Sequence, residues 1–393
     1  YIASYHQSKF GKLMAMTVPE IIEAAVSGVC REIGAEPSSL DVATAASACN
    51  FTLNEQGLLA GLIAAIPGME GKPIETVENA CASGGQAVLS VIQKLQCGLG
   101  ETGLALGYEK MRDAEGKMDG KLIGKVLGYF SHPEERPGKV FVFPHVFAEV
   151  MRDYMARYGA SERDLAAIAV QEYACAAHNP WAQMNKVQLT LDQAVAIEGV
   201  NRYVVEGLPL KTYDCSQISD GYAALILATE EGLARLGVNK QDAVEIAGWA
   251  QATDSIRKDS GRDVLRPAGA SRAMQRAYEM AGLEPADINV AEIHDCFTVM
   301  GAIGTEVIGK AQAGQGARLW AEGNAQGINT SGGLIAKGHP VGATGVAMIG
   351  WCALQLLGKA PAPLQVKDAR AAATFNIGGP ICASVCTVLK PAA

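Results

Sequence analysis

What the chain lacks already narrows its nature. No apolar run in its 393 residues approaches the roughly 18 needed to cross a bilayer. Positive charge is not in excess: 33 Lys and Arg face 41 Asp and Glu, a formal net charge of -8. That balance argues against a nucleic-acid binder, although a local basic patch still accommodates an anionic ligand. Ten cysteines are present, but none form a C-x-x-C pair or the dense spacing of a disulfide framework. The expectation is therefore a reducing compartment, the cytoplasm. Six histidines occur without H-E-x-x-H spacing, so no metal site is expected. No leader is visible after Tyr1, and the closing Lys-Pro-Ala-Ala matches no targeting signal.

What is present centres on residues 74–92. Ile74, Thr76 and Val77 suit a strand, Ser83-Gly84-Gly85 allows a tight turn, and Ala87, Val88, Val91, Ile92 and Leu95 recur at helical spacing. Cys81 therefore falls at or just before a helix N-terminus, where unpaired N–H groups and the macrodipole favour a nucleophilic thiolate. Small neighbours, Ala80, Ala82, Ser83, Gly84 and Gly85, leave room for a substrate to reach the sulfur.

The chain also repeats itself. Residues 36–43, E-P-S-S-L-D-V-A, return as E-P-A-D-I-N-V-A at 284–291, an offset of 248 residues. The same offset carries Pro19 to Pro267, Ser83-Gly84-Gly85 to Ser331-Gly332-Gly333 without a gap, and Cys81 to Asn329. Two helix N-termini from related halves are then expected to face one cleft, the geometry an acyl-transfer oxyanion needs. An amphipathic helix over 18–34 has its counterpart near 270–282. Short apolar strands are expected near 41–46, 103–107, 222–228, 245–250, 288–294, 371–377 and 381–389. Strands alternating with helices read as α/β. Residues 112–205, with Lys117, Lys121, Lys125 and several prolines, interrupt the pattern and read as a lid. The expected division is an N-terminal half over 1–111, this lid over 112–205, a return over 206–240 and a C-terminal half over 241–393.

Three further segments carry chemistry: Glu292-Ile293-His294-Asp295-Cys296-Phe297 at a strand end, Asn329-Thr330-Ser331-Gly332-Gly333 leading to Lys337-Gly338-His339-Pro340, and Phe375-Asn376-Ile377-Gly378. A cysteine nucleophile with two histidines and a second cysteine is a complete set for nucleophilic and acid–base work. His145 and His178 read as structural or cofactor-adjacent.

The set N-A-C-A-S-G-G-Q-A, H-D-C-F, N-T-S-G-G-L-I-A-K-G-H-P-V-G-A-T-G and S-D-G-Y-A-A resembles the thiolase superfamily nearly end to end, and within it the sterol-carrier-protein-2 thiolase-like branch. The resemblance implies a five-layered αβαβα fold of two duplicated halves with a lid. It implies acyl transfer through a Cys81 thioester, with reversible Claisen condensation or CoA-dependent thiolysis of a 3-ketoacyl-CoA. His339 would activate Cys81 and help hold an enolate oxygen, and His294 would orient a water or the thioester oxygen. Asn376 stands where ordinary thiolases carry a C-x-G cysteine, which makes Cys296 the candidate second acid/base. Gly378 would supply a backbone donor beside that of Cys81, and Ser271 would contact pantetheine. Coenzyme A or acyl-CoA is implied as substrate, with no tightly bound cofactor. A homodimer or tetramer is implied, with a small OB-fold and zinc-ribbon protein as a further partner. The rival readings are a thiolase-like subunit of a heteromeric acyl-transfer complex and an acyltransferase to a non-CoA acceptor.

Overall fold

A computed structural model of the protein describes residues 1–113 and 115–392. The first half runs β1 (Ile2–Gln7), α1 (Val18–Arg31), β2 (Val42–Ala46), α2 (Asn50–Leu53), α3 (Leu59–Ala64), β3 (Ile74–Val77), α4 (Ser83–Gln96) and β4 (Thr102–Glu109). Four helices then intervene, α5 (Gly120–Gly128), α6 (Val142–Tyr158), α7 (Glu162–Ala176) and α8 (Leu191–Val195), before β5 (Gly221–Ala228) and α9 (Glu230–Leu236). The second half opens with β6 (Val244–Thr253), α10 (Ala268–Ala281), β7 (Val290–Ile293), α11 (Thr298–Val307) and α12 (Gly316–Ala321). It closes with α13 (Gly333–Lys337), α14 (Thr344–Leu356), β8 (Ala372–Gly378) and β9 (Ala383–Pro391).

The strands order as β3-β2-β4-β5-β1-β6-β9-β8-β7. This is two mixed sheets joined at one residue pair, Ile2 with Val244. Parallel β2–β4 and antiparallel β4–β5 in the first half match parallel β7–β8 and antiparallel β8–β9 in the second. The counterpart of β3 is reduced to a parallel bridge between Ala291 and Ile328. Helix α1 covers the outer face of the first sheet, α10 that of the second, and α4 with α14 fills the space between. The result is the αβαβα layering of two duplicated halves.

Local chemistry explains the outer helix of the first half. Thr17 caps α1 in a reciprocal box with Glu20, Pro19 sits in the first turn, and Ile21, Ile22, Ala25, Val26 and Val29 bury one stripe. The middle layer is bought with glycine. A Cβ on Gly84 would lie 2.6 Å from the Gly342 carbonyl oxygen, and one on Gly345 would lie 2.1 Å from the Gly85 nitrogen. The N-termini of α4 and α14 thus meet backbone to backbone.

This packing corrects the ungapped repeat. The offset of 248 holds through the turns Pro37–Ser39 and Pro285–Asp287 and through β2 and β7. Beyond them it fails, because Ser331-Gly332-Gly333 opens only the five-residue α13, while the partner of α4 in the middle layer is α14. Asn329 accordingly is no counterpart of Cys81: it is buried, and its amide bonds Ile293, Glu172 and Asp295.

Gly345→Ala should destabilise the fold by about 1–3 kcal/mol, since the backbone it meets cannot step aside. The check is a urea midpoint that falls with an unchanged slope; an unaltered midpoint would refute the close-packed middle layer.

Candidate active site

Cys81 is presented by an elbow between β3 and α4. Ala80 adopts a left-handed backbone (φ 48°), and the Ser83 hydroxyl closes the turn, donating to the Ala80 carbonyl at 2.5 Å and accepting from the Asn79 N–H at 2.8 Å. His339 lies in the loop before α14, its backbone N–H held by the Ser219 hydroxyl at 2.9 Å. Ser219 in turn donates to Gln183 at 2.6 Å. His294 stands at the end of β7, where its backbone N–H donates to Phe375 at 2.9 Å. The two imidazole rings cross edge-on with centroids 5.0 Å apart. The Cys81 sulfur and one nitrogen of each ring lie within 4.8 Å of one another.

The hydrogen bonds fix which nitrogen carries each proton. Asn376 on β8 accepts from the Gly85 N–H at 3.3 Å and donates to the Cys81 carbonyl at 3.0 Å, so its amide orientation is set. Its NH2 also faces His294 Nδ1 at 2.9 Å, which must therefore accept and leave the proton on Nε2. At His339 the logic runs the other way. Nδ1 meets the Thr344 hydroxyl at 2.7 Å, and that hydroxyl already donates to the Pro340 carbonyl at 2.9 Å. Nδ1 therefore donates and Nε2 keeps its lone pair. Both Nε2 atoms are buried without a protein partner. One imidazole is thus a hydrogen-bond donor and the other a base.

That division also bears on metal binding. The spacing of Cys81, His294 and His339 would suit a cation. Ligation by His294 Nε2 would put a proton on Nδ1, against the Asn376 NH2, so the donor set does not fit.

Burial dominates the electrostatics. The Cys81 thiol is pushed up to about 12, first by desolvation and then by the charges of Glu109 and Glu78, against the opposing N–H groups of Gly379 and of Cys81 itself. The thiolate expected from the helix N-terminus is therefore not the resting state, because loss of water outweighs a single dipole end. His339 is pulled down to about 3 by desolvation, and His294 falls well below its ordinary value through desolvation and the neighbouring His339. Cys296, buried and lining the same chamber, is raised well above an ordinary thiol first by desolvation, then by its neighbours Cys81, against which a second thiolate is disfavoured, and Asp295.

The structure places the other expected residues less uniformly. The N–H turned to the Cys81 sulfur belongs to Gly379, one residue beyond Gly378. Gly378 instead lets β8 approach the elbow, where a Cβ would sit 2.3 Å from the Asn79 carbonyl oxygen. Arg262 braces that turn, donating to the carbonyls of Pro380 and, at 2.9 Å, Ile381. Ser271 is not brought to the chamber. It is exposed on α10, in a separate depression with Gln251, Arg272 and Arg276, because that helix forms an outer layer.

Sequence reasoning missed the residues that hold the loops. Glu109 gathers Ser47, Ala48, Cys49 and Gly342, tying the first half to the His339 loop. Asp295 accepts from Leu334, Ile335 and Asn329, and beside it Glu172 is raised by burial and by the Asp295 charge. Asp295 sits in the H-D-C-F segment, so proximity to His294 was the available signal. Glu109 and Glu172 carry none: Glu109 is a single acid closing the apolar strand β4, and Glu172 is one of three acids in α7. Cys215, also missed, lines the chamber with Cys296.

A neutral thiol beside a neutral imidazole has a measurable signature. Iodoacetamide alkylation of Cys81, followed by intact mass, should keep climbing past about pH 10. A plateau at the ordinary thiol value of 9.0 would show that burial does not hold the proton on sulfur.

Comparison with known proteins agrees with this architecture. The thiolase N-terminal domain family matches residues 1–231, and the thiolase C-terminal domain-like family matches residues 250–391. An acetyl-CoA acetyltransferase of Methanothermobacter thermautotrophicus is 33% identical over 378 residues, covering 95% of this chain and 94% of that protein. Human sterol carrier protein 2 is 34% identical over 324 residues, covering 79% of this chain and 57% of its own length. Among solved structures, the Ltp2-ChsH2(DUF35) aldolase superposes with a TM-score of 0.80 at 22% identity, covering 99% of this chain and 97% of the other. Human mitochondrial 3-ketoacyl-CoA thiolase superposes with a TM-score of 0.74 at 17% identity, covering 100% and 98%. With family matches spanning both halves and a relative aligned over nearly the whole length, the chain belongs to the thiolase family and is an acyltransferase of the thiolase type.

Proposed function

We propose that Cys81 is the acylated nucleophile and that the two histidines divide the remaining work. The Cys81 proton passes to the bare Nε2 of His339 as sulfur attacks the thioester carbonyl. Oxygen charge collects against the N–H groups of Gly379 and Cys81, and the departing CoA sulfur takes the proton back from His339. In the second half-reaction His294 Nε2–H holds the oxygen of the acceptor thioester enolate. Cys296, which burial keeps protonated at rest, first gives its proton to the free Nε2 of His339, and its thiolate then takes the proton from the reacting carbon in place of the cysteine absent at Asn376; the Cys81 thiolate released as the carbon–carbon bond forms takes the proton held on His339, and thiolysis runs the same transfers in reverse. Run forward this joins two acyl-CoA molecules by Claisen condensation; run backward it is thiolysis of a 3-ketoacyl-CoA. The observation that carries the reading is the pair of opposite tautomers beside one thiol.

Residues 112–205 serve as the lid, since α5 packs over Cys81 through Ile123 and Leu127. No described helix is long and apolar enough to cross a membrane; a cytoplasmic setting rests on the scattered, unpaired cysteines. A second reading, a subunit that hands acyl groups on within a heteromeric complex with a small OB-fold and zinc-ribbon protein, draws on the likeness to the two-component aldolase.

Mixing the protein with acyl-CoA should add one acyl group to the wild type and none to Cys81→Ala, by intact mass spectrometry. His339→Ala should slow that step by about a hundredfold or more. Addition of CoA and a 3-ketoacyl-CoA should give turnover. Acylation without turnover would favour the heteromeric reading, and no adduct would end the nucleophile assignment.

Homodimerisation is proposed through β3, which among the described residues pairs only with β2 and leaves its outer edge open. Phe51 and Leu58, 76% and 78% exposed, flank that edge, where the Ala60 N–H donates to Thr76 on β3. A second copy adding its own β3 about a two-fold axis would satisfy the edge and cover both side chains. Light scattering should give a dimer for the wild type and a monomer for Phe51→Glu/Leu58→Glu; a monomeric wild type would refute it.

A further inference from the structure

One buried acid has no task in the chemistry around Cys81. Glu172 projects from α7, in the lid segment, and is fully buried. The buried ammonium of Lys337 does not pair with it, standing instead 3.8 Å from Glu292. What Glu172 meets is a second acid: its carboxyl lies within hydrogen-bonding reach of that of Asp295, which is equally buried. Both press on Gly333, where a Cβ would sit 2.4 Å from Glu172 Oε1 and 2.6 Å from Asp295 Oδ2. One amide serves both, Asn329 Nδ2 donating to Glu172 Oε1 at 2.8 Å and to Asp295 Oδ1 at 2.9 Å. Glu172 Oε2 receives no donor at all.

Two carboxylates face to face and out of water do not both stay ionised, so the pair holds one proton. The donors around each acid say where it sits. Asp295 also accepts the backbone N–H groups of Leu334 at 2.8 Å and Ile335 at 3.1 Å, whereas Glu172 has the Asn329 amide alone. The charge belongs with the larger number of donors, on Asp295, and the proton on Glu172 Oε2, the oxygen that nothing else engages.

Asp295 stands between His294 and Cys296, while His339 is held separately by Ser219 and Thr344. Resting on the assignment of His294 and Cys296 to the enolate step, we infer that Glu172 is a positioning residue: as a neutral acid it donates its proton to Asp295 and so latches α7 to the H-D-C-F segment, holding His294 and Cys296 in place for the second half-reaction. Acylation of Cys81 does not depend on it.

Glu172→Gln keeps a donor where the acid O–H stood, and Glu172→Leu removes it. Acetyl-CoA should label Cys81 at the wild-type rate in both variants, read by intact mass. Thiolysis of acetoacetyl-CoA by CoA should stay near wild type in Glu172→Gln and lose about a hundredfold in kcat in Glu172→Leu, with KM little changed. A merely structural role would slow both half-reactions together, and an ionised Glu172 would make Gln as damaging as Leu; either result overturns the proposal. The proton is read without activity. The infrared difference between wild type and Glu172→Gln should contain the carbonyl stretch of a protonated carboxyl, shifting in D2O, and its absence overturns the proposal; this band and Glu172→Gln decide the matter if Glu172→Leu does not fold. A wild type that takes no acetyl group, or shows no thiolysis, counts against the Cys81 or Claisen reading instead. The latch is then judged by the infrared band and by exchange of the Leu334 and Ile335 N–H groups, which should quicken in Glu172→Leu and not in Glu172→Gln; equal exchange in the two overturns it.

Discussion

The contact on which this molecule depends is the meeting of two helix N-termini at its centre. Helices α4 and α14 touch through Gly84, Gly85, Gly342 and Gly345, with no side chain between the backbones. That approach sets Cys81 and His339, each just ahead of its helix, within reach of one another. Each half contributes one helix and one sheet to the arrangement, and the two sheets need only a single bridging pair to stay in register. The remainder of the site is hung on this frame by buried acids. Glu109 draws together loops from both halves, and Asp295 pins the turn into α13 beside His294. These acids stabilise geometry at a cost: their charges and the loss of water drive the thiols upward, so the resting chamber holds neutral groups.

The alternation of strands and helices was legible because the strands are short apolar runs and α1 carries a clear stripe, whereas the five layers followed from the family resemblance. Strand β1 was not. Ile2–Gln7 contains Ser4, Tyr5, His6 and Gln7, yet it lies at the middle of the sheet order. Its polarity is absorbed locally, Ser4 donating to the Val29 carbonyl at 2.7 Å and His6 lying over Gly28, where a Cβ would be 2.3 Å away. Hydrophobic pattern cannot see such a strand.

The repeat misled for a related reason. S-G-G occurs in both halves, but its second copy serves a short turn of helix, and the long middle helix begins later, at Thr344. Spacing reports likeness of words, whereas equivalence is decided by which helix packs between the sheets. The chemistry-bearing residues were easier. Cys81, His294, Cys296 and His339 all line one chamber, since each stands at a strand end or a glycine-rich elbow. Ser271 did not follow, because a serine in an amphipathic helix takes the face its neighbours dictate, and here Ala270, Ala273 and Met274 claim the inner one.

Asn376 has a consequence for how the two halves of such a duplicated chain come to differ. Its amide spans the seam: one oxygen and one nitrogen grip the main chain of the first half at Gly85 and Cys81, while the same nitrogen orients an imidazole of the second. Cys81 thus resides in one half, and the two imidazoles with the amide that orders them in the other. Neither half alone assembles this cluster, so the two are complementary and the cluster exists only at their joint surface. Drift in one copy at this seam must be answered in the other.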